Sequence, residues 1–548
     1  MMPEQRFGSG PFTFRINDNG SGPQLLTQVC LERGWREYNP DYNENWNLWW
    51  RTSGFPISHH KCLTSFQYLN HIPKGSMICR KDNLIRYLRC MKKVYGTIYD
   101  FSPDSYNLPL EYTKLVSECS HSKFQTRKED KLRACVADNR IWISKPVAQS
   151  QGRGIFLFRK LSELNYDTST IVQRYIENPL LIGGYKFDLR LYVCVPSYHP
   201  VTIYMYTEGL ARFGTDKFSL NDLKNPFRHL TNSSINKLGP GYLEMKERVG
   251  SGCKWTLRQL RRYLRQTGIF DWLIWQKVTS LVILTVLSHI QQIPSTTNCF
   301  EFFGFDILID NALRPWLLEV NLSPALSNDC DADRLVKKSM LHDMFDLLGF
   351  PMLNTGLSVF TVWLEESDQN DDFVKNDQTV KNQQTLINAE SKRRQKYRIS
   401  SARSKVSARA RRRTTSASNK RGYLKLPKVQ VDGAALEANY HDVPKGKLVA
   451  ENFANSSRKI WGNGKDWSCP IPREGGWVRI WPMTLDHGDE NGNPIVSGGI
   501  KNVVNAVVKF NKVAKELMKK HPAASECQLN EFLQQEINMA VDVWMPPS

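Results

Sequence analysis

The side chains best suited to chemistry lie in two apolar runs, residues 305–310 and 315–321, which a four-residue loop joins. If the runs pair as a hairpin, Asp306 lies opposite Glu319. Because side chains alternate along a strand, Glu319 and Asn321 then share a face. Two carboxylates and an amide are hard oxygen ligands of the kind that Mg²⁺ prefers, and so small a set leaves room for water and phosphate. The pattern indicates a magnesium site, against the alternative of an exposed hairpin with ordinary polar alternation.

A second charged group lies in residues 186–190, where Lys186, Asp188 and Arg190 alternate with apolar residues such as Phe187. In a strand the three charges would share one face and the apolar side chains the other. An ordinary solvated strand gives the same pattern. The apolar sequence that follows directly should be buried, however, and three charges beside a buried run favour a functional face.

A lysine, Lys145, ends one predicted strand just before a glycine-containing loop that begins the next. Backbone N–H groups of such a loop can approach phosphate oxygens closely, and a lysine adds a compact positive charge. Most loops of this kind are simple turns, so the loop alone leaves the question open. The loop residues are Gln151, Gly152, Arg153, Gly154 and Ile155.

Further polar candidates are Arg212, Lys254 and the cluster of short polar side chains at residues 229–236. The cluster contains Thr231, Asn232, Ser233 and Ser234. Such side chains can bind a ligand, but they are also typical helix caps. Lys254 has the position of an ordinary surface lysine at the start of a helix.

The elements that would position these residues predict an α+β fold. Short alternating or apolar runs predict strands at 141–145, 155–158, 171–176, 186–195 and 201–206, and a helix is predicted over 254–292. The region 1–100 is expected to form a small N-terminal α/β domain, with a basic amphipathic helix over 81–93. Two lobes of the core are predicted at 101–200 and 201–352, the second of which contains the magnesium site.

The C-terminal part of the chain changes character after about residue 351. Polar, Asn/Gln-rich sequence and a basic run at 391–413 predict a disordered linker over 353–455. A final segment, 456–548, contains four tryptophans and then apolar residues at helical spacing over 500–520. This segment is expected to be either a docking module or a small satellite of the core.

The chain carries 74 lysines and arginines against 54 acids, a net charge of +20, which favours an anionic partner. No RNP, zinc-finger or helix-turn-helix signature supports nucleic acid. The twelve cysteines form no CxxC pair and no secretory leader is recognisable, which suggests reduced thiols and a cytoplasmic protein. The most apolar stretch, 281–290, is too short to span a bilayer and predicts a buried helix. Neither a membrane nor a nucleic-acid partner is expected.

A set of short motifs, taken in order, resembles the tubulin tyrosine ligase-like family over roughly residues 25 to 350. The motifs lie at residues 45–50, 70–73, 79–82, 142–146, 151–155, 173–176, 186–190, 229–232, 303–306 and 318–321. The resemblance implies an ATP-grasp core, with ATP held between two α+β lobes and Mg²⁺ as its metal ion.

The resemblance also implies roles for individual residues. Lys145 and the loop 151–155 would contact the phosphates. The adenine, the ribose and the rest of the nucleotide would be held by Gln173, Arg174, Tyr175, Ile176, Lys186, Phe187, Asp188, Thr231 and Asn232. Asp306, Glu319 and Asn321 would bind Mg²⁺. The incoming glutamate would be held by Arg212, Ser233, Ser234, Lys254 and Lys337, and Arg153 would contact the acceptor protein.

The implied reaction is an ATP-dependent polyglutamylation of tubulin. A carboxylate of an acidic tubulin tail would become an acylphosphate, and the amine of free L-glutamate would attack it. Glu319 would hold the metal, and Arg190 and Arg212 would stabilise the oxyanion. Glycine or tyrosine ligation, or a non-catalytic microtubule-binding role, are the alternatives. Leu322 stands where several family polyglutamylases carry histidine, so initiation versus elongation stays open. The expected location is the cytoplasm and cytoskeleton, with the cilium or basal body as further sites.

Overall fold

The computed structural model describes residues 7–8, 10–41, 45–119, 140–149, 151–165, 169–249, 253–353, 460–484 and 499–548. The predicted linker lies, from residue 354 onward, outside the described residues, and so does its basic run.

Helices and strands alternate irregularly along the chain, as the predicted α+β class requires. The strands are β1 (Thr13–Ile16), β2 (Arg36–Glu37), β3 (Leu48–Trp50), β4 (Tyr68–Leu69), β5 (Ser105–Leu108), β6 (Trp142–Pro146), β7 (Phe156–Phe158), β8 (Thr170–Arg174), β9 (Leu181–Ile182), β10 (Tyr185–Tyr198), β11 (Val201–Tyr206), β12 (Leu210–Lys217), β13 (Lys254–Thr256), β14 (Glu301–Ile309), β15 (Pro315–Asn321), β16 (Arg473–Glu474) and β17 (Trp477–Trp481). The helices are α1 (Gln24–Glu32), α2 (Ile57–Lys61), α3 (Lys81–Tyr95), α4 (Pro226–His229), α5 (Ser233–Asn236), α6 (Tyr242–Val249), α7 (Leu257–Gln266), α8 (Trp272–Leu287), α9 (Asp331–Leu347), α10 (Ile500–Lys520) and α11 (Glu526–Ile537).

The N-terminal residues form a parallel four-stranded sheet in the order β2-β1-β3-β4. Helix α1 buries Leu25, Leu26 and Val29 in the same hydrophobic cluster as Phe14 of β1. Parallel strands need a connection that crosses over the sheet, and α1 provides it between β1 and β2. Helix α3 follows the sheet and confirms the helix predicted over 81–93.

A second sheet, antiparallel and four-stranded, has the order β5-β8-β6-β7. Three of its strands confirm the strand predictions at 141–145, 155–158 and 171–176. Leu108, Trp142, Phe158 and Val172 form a small hydrophobic cluster on this sheet. The sheet therefore has a core of its own, and we refer to it as the small sheet.

The centre of the molecule is a nine-stranded sheet built around β10, all fourteen residues of which are buried. Strand β10 pairs with β11, β12 and β14. Because side chains alternate, Leu191 and Val193 enter the cluster that contains α8, whereas Tyr192 and Cys194 enter the cluster that contains α9. Helices thus cover both faces of the sheet. The boundary expected at residue 200 falls inside the hairpin β10–β11, because the pairing of β10 with later strands is non-local.

The helix predicted over 254–292 is in fact three elements, β13, α7 and α8. Thr256 ends the strand and caps α7 in a reciprocal capping box with Gln259, which explains the change of structure at this residue. Lys254 is therefore a buried strand residue, not the surface lysine of a helix start.

Residues 272–292 are long and apolar enough to cross a membrane by length and composition alone, which corrects the expectation that this stretch is too short. However, 83% of its most apolar window is buried inside the protein. A helix that is apolar on all sides is typical of the core of a large domain. The prediction of a buried helix is confirmed.

The tryptophan-rich C-terminal segment is part of the core and not a satellite. Strand β17 pairs with β11 and extends the central sheet, and Trp477 is fully buried. Helix α10, which has the bounds predicted from its periodicity, packs Val503 and Val507 into the cluster that contains α8.

Candidate active site

An open cavity lies between the small sheet and the charged face of the central sheet. Fifteen of the residues predicted for the site line it: Lys145, Gln151, Gly152, Ile155, Gln173, Arg174, Tyr175, Ile176, Lys186, Asp188, Arg212, Thr231, Asn232, Asp306 and Glu319. These residues come from six strands and three loop segments that are far apart in the sequence. The fold thus brings together candidates that the sequence could offer only one by one.

The carboxylates of Asp306 and Glu319 face each other across β14 and β15, in the register that the hairpin predicted. Burial raises the pKa of Glu319, and the charge of Asp306 raises it further, whereas Lys81 and Lys145 oppose the shift. Two carboxylates held this close repel each other when both are ionised, and a divalent cation would relieve the repulsion. The donor set therefore fits a hard cation such as Mg²⁺.

Asn321, the third predicted metal ligand, lies outside the cavity wall. It pairs with Gly304 in the strand ladder, and its side-chain amide donates to the Gly304 carbonyl at 3.3 Å. Among the described residues, no group of three histidine, cysteine, aspartate or glutamate side chains is placed to hold a metal ion. Asp306 and Glu319 are the predicted metal ligands that line the cavity, and Mg²⁺ commonly keeps water and phosphate as its other ligands.

Two arginines hold the acidic residues of the central sheet in place. Arg190 forms two hydrogen bonds to Asp306, at 2.6 Å and 3.1 Å. Arg212 lies 2.8 Å from Oδ2 of Asp306, an oxygen that Arg190 also contacts, and 2.8 Å from Asp188. Burial alone would raise the pKa of Asp306, but Arg190 and Arg212 hold it below its usual range. The two arginines stay charged and fixed, although Arg190 itself does not line the cavity.

Lys145, which is half-buried, and Lys186, which is buried, both line the cavity. Lys145 donates to the amide oxygen of Gln173 at 2.7 Å, and Lys186 donates to the Tyr175 hydroxyl at 2.9 Å. Burial lowers the pKa of Lys145 to about 8 and that of Lys186 to about 7. A site that destabilises two ammonium groups gains free energy from an anion, so this wall fits a phosphate ligand.

The glycine loop is pressed against the polar cluster on the other side of the cavity. A side chain at Gly152 would place its Cβ only 2.4 Å from Ile235, and the backbone there has φ of +78°. Gln151, with φ of +62°, is also in the left-handed region, and its carbonyl accepts from the Ser234 hydroxyl at 3.3 Å. Backbone in this conformation can present consecutive N–H groups to an anion.

Lys254 and Lys337 are predicted to hold the incoming amino acid. Neither lines the cavity, but the two side chains lie close to each other. Both contact Asp333, at 2.6 Å and 2.8 Å. Lys254 is paired in the sheet with Arg212, so this group continues the charged face of the central sheet. Two lysines against one aspartate leave a net positive charge beside the cavity.

The remaining predicted residues do not line the cavity. Phe187 points to the opposite face of β10, where its ring packs 5.7 Å from that of Phe213, so its side chain cannot contact a ligand in the cavity. Arg153 and Gly154 lie in the glycine loop, and Ser233 and Ser234 begin α5, beyond the cavity wall.

Four polar residues of the site had no role assigned from the sequence. Lys81, Gln149 and His229 line the cavity, and Lys81 donates to the Gln149 carbonyl at 2.9 Å while lying 4.0 Å from Glu319. Asp333 joins the two lysines described above. The spacing of Asp333 and Lys337, four residues apart on a helix, is the one local signal that could have paired them.

Comparisons with known proteins agree with this geometry. The sequence model of the tubulin-tyrosine ligase family matches residues 57–355. The chain is 47% identical over 341 residues to "Probable tubulin polyglutamylase TTLL2" of Homo sapiens, which covers 62% of this chain and 56% of that protein. The Mus musculus protein of the same name is 46% identical, with 62% and 61% covered. "Tubulin polyglutamylase TTLL5" of Mus musculus is 37% identical over 340 residues, with 60% and 24% covered.

The chain thus matches between half and two thirds of the length of the first two relatives. The family match covers more than half of the 548 residues and contains every cavity residue discussed above. This protein belongs to the tubulin-tyrosine ligase family.

Proposed function

We propose that the chain is an ATP-dependent ligase that adds glutamate to glutamate side chains in the acidic C-terminal tails of tubulin. One observation carries the proposal: two lysines that form no ion pair among the described residues, a glycine loop and an opposed pair of carboxylates converge on a single cavity. The relatives whose printed names are tubulin polyglutamylases support the choice of reaction and substrate.

The nucleotide would lie between the small sheet and the central sheet, in an arrangement of the ATP-grasp type. Lys145, Lys186 and the backbone of the loop 151–155 would hold its phosphates and sugar, and Asp306 and Glu319, the two predicted metal ligands that line the cavity, would hold Mg²⁺. When bound, ATP and Mg²⁺ would supply the phosphoryl group that activates the acceptor carboxylate and the charge that neutralises the transfer.

The residues of the chain contribute fixed charge around the acceptor carboxylate. Arg190 and Arg212 are held by Asp188 and Asp306, so they need not reorganise when negative charge develops on a carboxylate oxygen. Preorganised cations of this kind stabilise a tetrahedral intermediate. The same bonds hold the two arginine side chains in a single conformation relative to the central sheet.

The charge beside the cavity supports glutamate over glycine as the incoming amino acid. Lys254 and Lys337 share Asp333, which leaves one positive charge to be matched. Glutamate brings a side-chain carboxylate that can match it in addition to the α-carboxylate that all three amino acids carry, whereas glycine has the α-carboxylate alone. Tyrosine offers no carboxylate at that position either.

The experiment is an amino-acid panel. Purified chain, tubulin, ATP and Mg²⁺ are incubated with glutamate, glycine or tyrosine, and the tubulin tails are weighed by mass spectrometry. We expect glutamate adducts only.

Glu319→Gln, which keeps the shape but removes a metal-binding charge, should lower kcat by about 100-fold or more. Glu536→Gln, at an exposed position of α11, should match the wild type. Glycine or tyrosine adducts would change the assigned amino acid, and a wild type that adds none of the three would refute the proposal.

A further inference from the structure

His229 is a buried member of the cavity wall that the proposed reaction leaves without a role. Only 1% of it is exposed, and its ring lies edge-on to the rings of Tyr175 and Phe218, with both centroids 5.7 Å away. Its polar atoms nevertheless all have partners close by. The directions of those hydrogen bonds decide what the residue does.

The tautomer of His229 follows from its partners. Nε2 lies 2.8 Å from the backbone carbonyl of Asp222, which can only accept, so Nε2 carries a proton. Nδ1 lies 3.1 Å from the Tyr175 hydroxyl. Burial lowers the pKa of the ring and the charge of Lys186 lowers it further, although the Asp222 carbonyl opposes the shift. In the resulting neutral ring Nδ1 is an acceptor, and the Tyr175 hydroxyl must donate to it.

The direction of this hydrogen bond determines which partner the Tyr175 oxygen can accept from. Once its proton points to Nδ1, the Tyr175 oxygen offers its lone pairs to the ammonium of Lys186, which donates to it at 2.9 Å. Lys186 also donates to the backbone carbonyl of His229 at 2.8 Å and lies 4.6 Å from the centre of the Tyr175 ring. His229 therefore holds Lys186 twice, directly through its carbonyl and indirectly through Tyr175.

We propose that His229 is a positioning residue of the nucleotide cavity: its neutral imidazole sets the direction of the Tyr175 hydroxyl, and the hydroxyl in turn holds the Lys186 ammonium against the nucleotide. The inference rests on the proposed function, because it assumes that Lys186 contacts ATP. It assigns His229 an effect on ATP that is separate from any effect on glutamate or tubulin.

Two substitutions of His229 distinguish the role of Nδ1 from that of Nε2. Asparagine keeps an acceptor near the position of Nδ1 and loses the donor to Asp222, whereas glutamine keeps a polar group near Nε2 and loses the acceptor for Tyr175. Tyr175→Phe removes the hydroxyl alone and leaves the imidazole in place. The full-length chain is assayed for KM with ATP, KM with glutamate, and calorimetric binding of ADP, with thermal unfolding as the test of folding.

We expect His229→Gln and Tyr175→Phe each to raise the KM for ATP and the Kd for ADP about tenfold and to leave the KM for glutamate unchanged. His229→Asn should stay within about threefold of the wild type. The double variant His229→Gln/Tyr175→Phe should be no weaker than either single variant, because both break the same link.

Equal behaviour of the asparagine and glutamine variants, or a Tyr175→Phe chain with unchanged ADP binding, would overturn the inference. If the histidine variants fail to fold, Tyr175→Phe decides alone, since it loses a single oxygen atom. ADP binding also separates this inference from the function itself. A wild type that binds ADP without ligating an amino acid refutes only the proposed reaction.

Discussion

Two lysines of the cavity, Lys145 and Lys186, have lowered pKa values, and this property can be measured one residue at a time. Neither forms an ion pair among the described residues, and burial brings their pKa values to about 8 and about 7. Near neutral pH both are thus partly deprotonated in the free protein. An anion placed against them favours the ammonium form and raises both pKa values.

Binding of ADP should therefore take up protons from solution. At pH 8, in EDTA to exclude metal ions, we expect an uptake of about 1.4 protons per ADP, since Lys186 is mostly neutral and Lys145 about half neutral before binding. The sign follows because the anion raises the pKa of both groups. The measurement is the slope of calorimetric enthalpy against the ionisation enthalpy of the buffer.

Lys186→Arg is the matched control, because arginine stays protonated at every pH used. Its uptake should fall to the part that Lys145 contributes, about half a proton. Proton release on ADP binding, or an uptake that the substitution leaves unchanged, would contradict the account of these lysines.

For individual residues, the sequence predicted the contacts that form within one strand or one hairpin. The opposition of Asp306 and Glu319 was predicted correctly because a short loop fixes the register. Lys81 and Asp333 were given no role because α3 and α9 bring them to the site from regions far apart in the chain. Long-range packing of this kind leaves no periodic signal in the sequence.

Among the elements, β17 shows how far the core extends beyond the matched family region. The strand pairs with β11, and its Trp477 donates to the Met340 carbonyl of α9 at 3.1 Å. The backbone N–H of Gly476 also donates to Asp343 of α9, at 2.8 Å. The element ties the edge of the central sheet to the helix that carries Asp333 and Lys337.

Trp477→Ala should lower the free energy of unfolding by about 3–5 kcal/mol, because a fully buried indole leaves a cavity that the sheet and α9 cannot close. The measurement is chemical denaturation followed by circular dichroism. Val508→Ala, at a position of α10 that is 43% exposed, is the control and should change the free energy by less than about 0.5 kcal/mol. Equal losses for the two variants would mean that β17 is not part of the cooperative core.

Strands and helices whose apolar residues recur at a clear period were predicted well. For α10, the first and last residues were also predicted correctly. The expected long helix over 254–292 was wrong at its start. Residues 254–256 are paired with β12, and their strand conformation depends on that partner, whereas the sequence signals only the helix that follows. Tertiary context overrides local propensity in such short strands.

The whole molecule carries a net charge of +20, and α10 concentrates part of it on one surface. The apolar side of this helix is buried, and six lysines on it are exposed: Lys501, Lys509, Lys512, Lys515, Lys519 and Lys520. Glu516 is the single acid within the helix. A cationic surface of this kind steers an acidic partner such as a tubulin tail.

Charge reversal on this surface, Lys509→Glu/Lys512→Glu/Lys519→Glu, should weaken binding to microtubules about tenfold or more at low salt, measured by co-sedimentation. The same three positions changed to arginine keep the charge and should bind as the wild type does. KM for ATP should be the same in both. If reversal leaves binding unchanged, the lysines of α10 do not form a microtubule-binding surface.

The pairing of β17 with β11 also sets an order of events during synthesis. Residues 201–206 leave the ribosome long before residues 477–481, and the roughly one hundred residues from 354 to 459 must be translated in between. At about 5–20 residues per second, that interval alone lasts about 5–20 s. For that time the nascent chain lacks the strand, the helix α10 and Trp477 that cover its sheet edge and α8. Chaperones that shield apolar surface should therefore matter more for the yield of this protein than for that of a relative whose core is complete at the end of α9.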